Sequence, residues 1–202
     1  MKLPLNTLLI ALALGLALGQ ASPATAADAG ATSAALPGDS LYHLQAGFTD
    51  LHGQSLQWAA LQGRPQLVSM FYGNCSLMCP LILENAKAVQ KQLSPEQRAR
   101  LGVAMITLDP ARDTPAALAE VAERNRTPAD WQYLQPDADD VRAVASVLDV
   151  RYRFRKDGSI NHTSVLVLLD AQGRPLARSE VVGAAPDPGF LQQVRTALAQ
   201  TP

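Results

Sequence analysis

Apolar positions along the chain follow two periods, and their alternation outlines the fold. Residues 66–72, Gln-Leu-Val-Ser-Met-Phe-Tyr, form a near-continuous apolar run, the pattern of a strand buried on both faces. Residues 103–108 predict a second such strand, and residues 132–134 a short third. Between them the period becomes helical. Ile82, Ala86, Val89 and Leu93 follow Pro80, and Leu118, Val121 and Ala122 follow Thr114-Pro115. There Thr114 is the expected N-cap and Pro115 the first helical residue. Val141, Val144, Ala145 and Leu148 predict a third helix. Phe190, Val194 and Leu198 predict a last one, opened by Asp187-Pro188. Residues 48–56 read as a hairpin about the turn at 50–53. Residues 150–155, 163–169 and 176–182 read as late strands, with turns at Asp157-Gly158 and at 170–173.

Alternating strands and helices imply an α/β domain whose parallel strands are joined by right-handed crossovers. The last two strands, about the turn at Asp170, should be antiparallel. A strand, a cysteine loop and a helix at the start, with a hairpin and a helix at the end, resemble the thioredoxin pattern. The expected architecture is a thioredoxin-like three-layer fold, a central mixed sheet flanked by helices, with an N-terminal β-hairpin.

The chain has 202 residues, 48% hydrophobic and 17% charged, so it can build one core of ordinary size. A net charge of -1 gives no sign of a nucleic-acid partner. The N-terminus changes the picture. Lys2 precedes an uninterrupted apolar run at residues 8–18, and Ala24-Thr25-Ala26 offers small residues for cleavage. Residues 1–26 are therefore read as a secretory signal peptide, cut after Ala26. The alternative is an uncleaved anchor, although the run falls short of the roughly 20 residues of a bilayer span. Residues 27–37, rich in Ala, Ser and Thr, read as a flexible leader, and residues 38–200 as the folded domain. The expected location is the periplasm, an oxidising compartment.

The only two cysteines, Cys75 and Cys79, are four residues apart where the first buried strand meets its helix. On a helix, residues at that spacing share a face. The positive end of the helix favours thiolate, the form that both metal binding and disulfide exchange use. A structural disulfide is the plainer reading, but so small a loop constrains the unfolded chain little. His162, between Asn161 and Thr163, is placed on a turn leading into a late strand. In a thioredoxin-like sheet that turn lies beside the cysteines. Two thiolates and an imidazole form a soft three-donor set suited to copper, whereas structural zinc usually takes four protein ligands. Met78 is read as a core or rim residue, and His43 and His52 as surface residues. Gly73 and Gly158 suggest that the two ligand-bearing segments move independently.

From about Thr49 to Gly183 the chain resembles the Sco/SenC family of thioredoxin-like copper proteins. The resemblance rests on Phe71-Tyr72, on Cys75-x3-Cys79-Pro80, on Asp109-Pro110-Ala111-Arg112-Asp113-Thr114-Pro115, and on His162 ahead of Val165. It implies copper, one ion per chain, held by Cys75, Cys79 and His162. It further implies a role in assembling the binuclear copper centre of cytochrome c oxidase, by delivering metal or preparing thiols. The implied partner is the copper domain of subunit II, or another exported copper protein at a membrane surface, met by a monomer. Gly73-Asn74 departs from the Thr usual before the first Cys, and Asn161 stands where an Asp often precedes the His. Asn161 is a candidate to orient the imidazole. Asp109, Arg112 and Asp113 read as a strand-to-helix turn with an internal Arg–Asp pair; the alternative is support of the copper loop.

Two other functions compete. A thiol-disulfide reductase would use Cys75 and Cys79 as a redox-active catalytic pair. A copper buffer or sensor would hold the ion without passing it on.

Overall fold

The computed structural model of the chain describes residues 35–181 and 183–200. The signal peptide and most of the leader, as well as Val182 at the end of the last expected strand, lie outside the described residues.

Seven strands form one mixed sheet in the order β2-β1-β5-β4-β3-β8-β9. Its centre is β3 (Gln66–Phe71), β4 (Gly102–Thr107) and β8 (Val165–Leu169), in which every residue is buried. This is why these segments read as continuous apolar runs rather than alternating ones. β3 pairs in parallel with β4, and β4 with β5 (Gln132–Pro136). β8 runs antiparallel to both β3 and β9 (Pro175–Glu180). The N-terminal hairpin, β1 (Gly47–Asp50) and β2 (Ser55–Gln57), joins the sheet through an antiparallel β1–β5 pair. The edges are blunted: β2 has three residues, and β9 starts with Pro and exposes charged side chains.

The helices follow the expected positions. α1 (Met78–Lys91) connects β3 towards β4, and α3 (Pro115–Arg124) connects β4 to β5. Thr114 caps α3, its side chain accepting from the Ala117 N–H at 3.3 Å. α4 (Val141–Val147) and α5 (Pro188–Gln200) complete the set, and Asp187 accepts from the Phe190 N–H at 2.7 Å to cap α5. One helix escaped the sequence reading. α2 (Pro95–Arg100) has no buried residue, so it carries no apolar stripe. Its signal was a capping box, Ser94 with Gln97, followed by Pro95 at the first turn.

A second correction matters more. β6 (Tyr152–Phe154) is not part of the main sheet. It pairs antiparallel with β7 (Ile160–His162) in a separate two-stranded ribbon, with Tyr152 opposite His162. His162 therefore ends a strand and does not sit on a turn.

Candidate metal centre

The site begins where β3 leaves the core. After Tyr72 the chain passes Gly73 and Asn74 to Cys75, then enters α1 with Cys79 in its first turn. Cys75 lies ahead of the helix, so the two cysteines do not share a helix face as their spacing suggested. They meet in another way. No side chain oxygen caps α1; instead the Cys79 N–H donates to Cys75 Sγ at 3.3 Å. Sulfur here occupies the place of a cap, at the helix end that favours negative charge.

This geometry splits the two thiols. The hydrogen bond from the Cys79 thiol, above all, holds Cys75 far below the ordinary thiol range, at about 3; burial opposes it, and His162 and the Cys79 N–H assist. The same bond, followed by burial, pushes Cys79 up. Cys75 is half-buried and Cys79 buried. The reduced pair thus comprises one accessible thiolate and one buried thiol.

His162 reaches the pair from β7. Its Nε2 lies 3.7 Å from Cys79 Sγ. Its Nδ1 faces the Thr163 carbonyl at 3.0 Å. A carbonyl only accepts, so Nδ1 donates to it, which fixes the ring with Nε2 facing the sulfur. Asn161 does not orient the ring; it is exposed, and the backbone of Thr163 takes that role. The 3.7 Å separation suits a shared ion. Metal–nitrogen and metal–sulfur bonds of about 2.1 and 2.3 Å, the lengths at zinc, meeting at about 110–120° place the two donor atoms about 3.6–3.8 Å apart. Among the described residues no trio of His, Cys, Asp or Glu already stands at ion-binding distance. Cys79 and His162 are the donors in contact, and Cys75 Sγ lies beside them on the Cys79 N–H.

Tyr72, buried at the end of the strand, is a site residue that the sequence reading passed over. Its ring meets His162 edge-on at 5.9 Å. Burial first, with Cys75 beside it, pushes the hydroxyl up, so it remains a neutral phenol against the thiolate.

The turn from Asp109 to Asp113 braces both ligand-bearing segments. Asp113 is buried, and its Oδ2 accepts from the Gly73 N–H at 2.8 Å and from the Thr107 hydroxyl. Burial raises the Asp113 carboxyl even though those two hydrogen bonds oppose it. A Cβ on Gly73 would stand 2.5 Å from Asp113 Oδ1, which explains a glycine here. Arg124 donates to the Gly73 carbonyl at 3.2 Å. Arg112 pairs with Asp109 and donates to the Gly158 carbonyl at 2.8 Å, in the turn between β6 and β7. Gly158 holds φ +81°, the left-handed region that this turn needs. The cysteine loop and the histidine ribbon are therefore both tied to this turn through consecutive residues, Asp113 and Arg112. The Arg–Asp pair expected of this turn is present, and the turn also supports the site.

His43 and His52 are exposed, and His43 Nε2 contacts the Pro37 carbonyl at 2.9 Å. Met78 is half-buried at the rim, and Leu77 beside it is exposed.

A mixed sheet with a cysteine pair at a strand-to-helix junction, and a histidine from a late ribbon in contact with it, defines a thioredoxin-like α/β protein. The chain matches the SCO1/SenC family over residues 41–195 and belongs to it. Bradyrhizobium japonicum ScoI, solved with copper bound, superposes with a TM-score of 0.64 at 21% identity, covering 79% of this chain and 98% of that one. BsSco, described as a member of the Sco family of cytochrome c oxidase assembly proteins with a disulfide switch, superposes with a TM-score of 0.66 at 20% identity, covering 76% and 91%. At these identities the likeness is one of fold. A Stutzerimonas stutzeri protein, named as a candidate copper-binding protein, is 28% identical over 128 residues. That match takes in 61% of this chain and 62% of the relative's length. Among the described residues no helix is long and apolar enough to cross a membrane.

Proposed function

We propose that the protein carries one copper ion as cargo, bound by Cys75, Cys79 and His162, and delivers it to the binuclear copper centre of cytochrome c oxidase subunit II. The observation that carries this reading is the Cys79 Sγ–His162 Nε2 pair at 3.7 Å, with the imidazole's other nitrogen fixed on Thr163. A reductase needs the cysteines as its redox pair, whereas a soft metal ion also takes an imidazole nitrogen held beside the buried sulfur. The donor set of two sulfurs and one nitrogen fits a soft ion and leaves an open position for an incoming thiolate. Copper bound to fold relatives and the assembly role described for BsSco support the same reading. With a signal at residues 1–26 and a leader to residue 37, the domain at 38–200 works as a periplasmic monomer.

One observation favours thiol chemistry as a second reading. An accessible thiolate beside a buried, protonated partner is the arrangement of a dithiol reductant. Cys75 would attack a target disulfide, forming a mixed disulfide and releasing one target thiolate. Cys79, its proton passing to the His162 imidazole or to water, would then attack Cys75 Sγ and displace the second target thiolate, leaving a Cys75–Cys79 disulfide and a reduced target.

The test is a copper titration of reduced protein followed by mixing with the apo copper domain of subunit II. Delivery predicts stoichiometric loading that His162→Ala destroys, and movement of copper to the domain. Near-native affinity in His162→Ala removes the third ligand. Reduction of the domain's disulfide by metal-free protein, without copper transfer, assigns the function to the reductase.

A further inference from the structure

The ribbon that carries His162 is also the most basic segment of the chain. Arg151, Arg153, Arg155 and Lys156 place four cations within six residues, in a protein whose net charge is -1. All four side chains are exposed. Opposing acidic groups are few. Arg155 reaches Asp157 at 3.7 Å, and both are exposed, a pairing of little strength. Arg151, Arg153 and Lys156 form no ion pair among the described residues.

Strand alternation sorts this charge. Tyr152 lies opposite His162 and Phe154 opposite Ile160, so these four share one face. Arg153 lies opposite Asn161, and Arg151 and Arg155 follow the same period, so the arginines occupy the outward face. Arg151, Arg153 and His162 nevertheless line one shallow cleft of about 320 Å³. Near the turn Phe154 is 56% exposed, a large apolar side chain beside the cations. Arginine and aromatic side chains are the types enriched at the centre of protein interfaces.

A two-stranded ribbon alone is marginal in water, yet this one is held in place. Arg112 ties its turn through Gly158, and the Thr163 N–H donates to the Arg151 carbonyl at 2.9 Å. Like charges lined up along one strand repel one another. On a rigid, outward-facing ribbon beside a metal ligand, that arrangement has a use.

We propose that the outward face of the β6–β7 ribbon is the docking surface for an acidic patch on the protein that receives the metal, aligning the receiver's thiolates beside His162. This rests on the delivery reading. Residues 151–156 span at most about 20 Å. At physiological salt charges act over about 8 Å, so the ribbon steers a partner locally although the whole chain is nearly neutral.

The test uses the full chain, isotope-labelled, reduced and metal-free, titrated with the soluble copper domain of subunit II. Amide shifts are expected to concentrate at 151–156 and at Asn161. Affinity should fall about tenfold between roughly 0.02 and 0.3 M salt. The Arg155→Glu/Lys156→Glu variant should lose as much at low salt while retaining wild-type copper affinity, because neither side chain lines the cleft of His162. Shifts centred elsewhere, or unchanged binding by the double variant, overturn the docking face and leave delivery intact. Copper transfer is read separately, from the domain's metal content, and its failure counts against delivery alone. If the wild-type protein binds no copper domain, a polyglutamate peptide and phosphatidylglycerol vesicles replace it. Peptide binding at the ribbon, lost in the double variant, supports an acidic protein partner. Binding to vesicles alone, or to neither probe, overturns it.

Discussion

Asp113 is the residue whose removal best tests whether the fold holds the centre in shape. Asp113→Ala takes away a buried carboxylate that accepts from the Gly73 N–H and the Thr107 hydroxyl. Hydrogen bonds to a charged group contribute about 1.5–3 kcal/mol each, and two lost together should cost about 3–4 kcal/mol of stability. Thr107→Val removes one of the two and also the Thr107 Oγ1 that accepts from the Asp109 N–H at 2.9 Å, and should cost about 2–3 kcal/mol. The variants share a bond, so the double variant should be less destabilised than their sum. Copper separates the two single changes. Freeing Gly73 leaves about one more residue to be ordered when copper binds, at about 1–2 kcal/mol. That is about a tenfold loss of copper affinity in Asp113→Ala. In Thr107→Val the Gly73 bond survives, so affinity should remain close to wild type. Urea unfolding gives the stabilities, and a competition titration below the unfolding transition gives the affinities. Equal copper affinity in wild type and Asp113→Ala, with Asp113→Ala clearly destabilised, would refute the claim that the brace shapes the site.

Three further outcomes follow from the same geometry. Gly158→Ala should lose about 1 kcal/mol or more because φ is +81°, and should weaken copper binding by displacing His162; unaltered affinity in the folded variant counts against the ribbon's role. Iodoacetamide should label Cys75 nearly as fast at about pH 5 as at about pH 8, because its thiolate persists far below the ordinary thiol range, whereas Cys79 should label slowly throughout; a Cys75 rate rising tenfold per pH unit contradicts this. Replacing His43 and His52 with Gln should leave copper stoichiometry at one, and a lost equivalent in metal analysis would reveal a second site.

Much of the fold was written in hydrophobic period. β3, β4 and β8 are buried along their whole length, and only a sheet covered on both faces calls for such runs. The caps at Thr114 and Asp187 are local, made within three residues, so they too were legible from sequence. α2 and β7 were not, for one shared reason. α2 buries nothing, and three-residue β7 buries only Ile160, so neither leaves a hydrophobic pattern.

At the site, sequence alone determined the donor chemistry: two sulfurs four residues apart at a strand-to-helix junction, and a histidine ahead of a late strand. Donor type is a property of the side chain and needs no neighbours. What those donors do to one another depends on contacts across the fold, which only the tertiary structure decided. Cys79 and His162 are 83 residues apart, yet they meet at 3.7 Å. The split between a thiolate at Cys75 and a thiol at Cys79 comes from one hydrogen bond and unequal burial. Asp113 reaches back 40 residues to Gly73, and Arg112 forward 46 to Gly158, because the sheet brings the ends of β3 and β4 side by side beneath the ribbon. Spacing along the chain carries local geometry, but hydrogen bonds at such separations exist only once the core has closed.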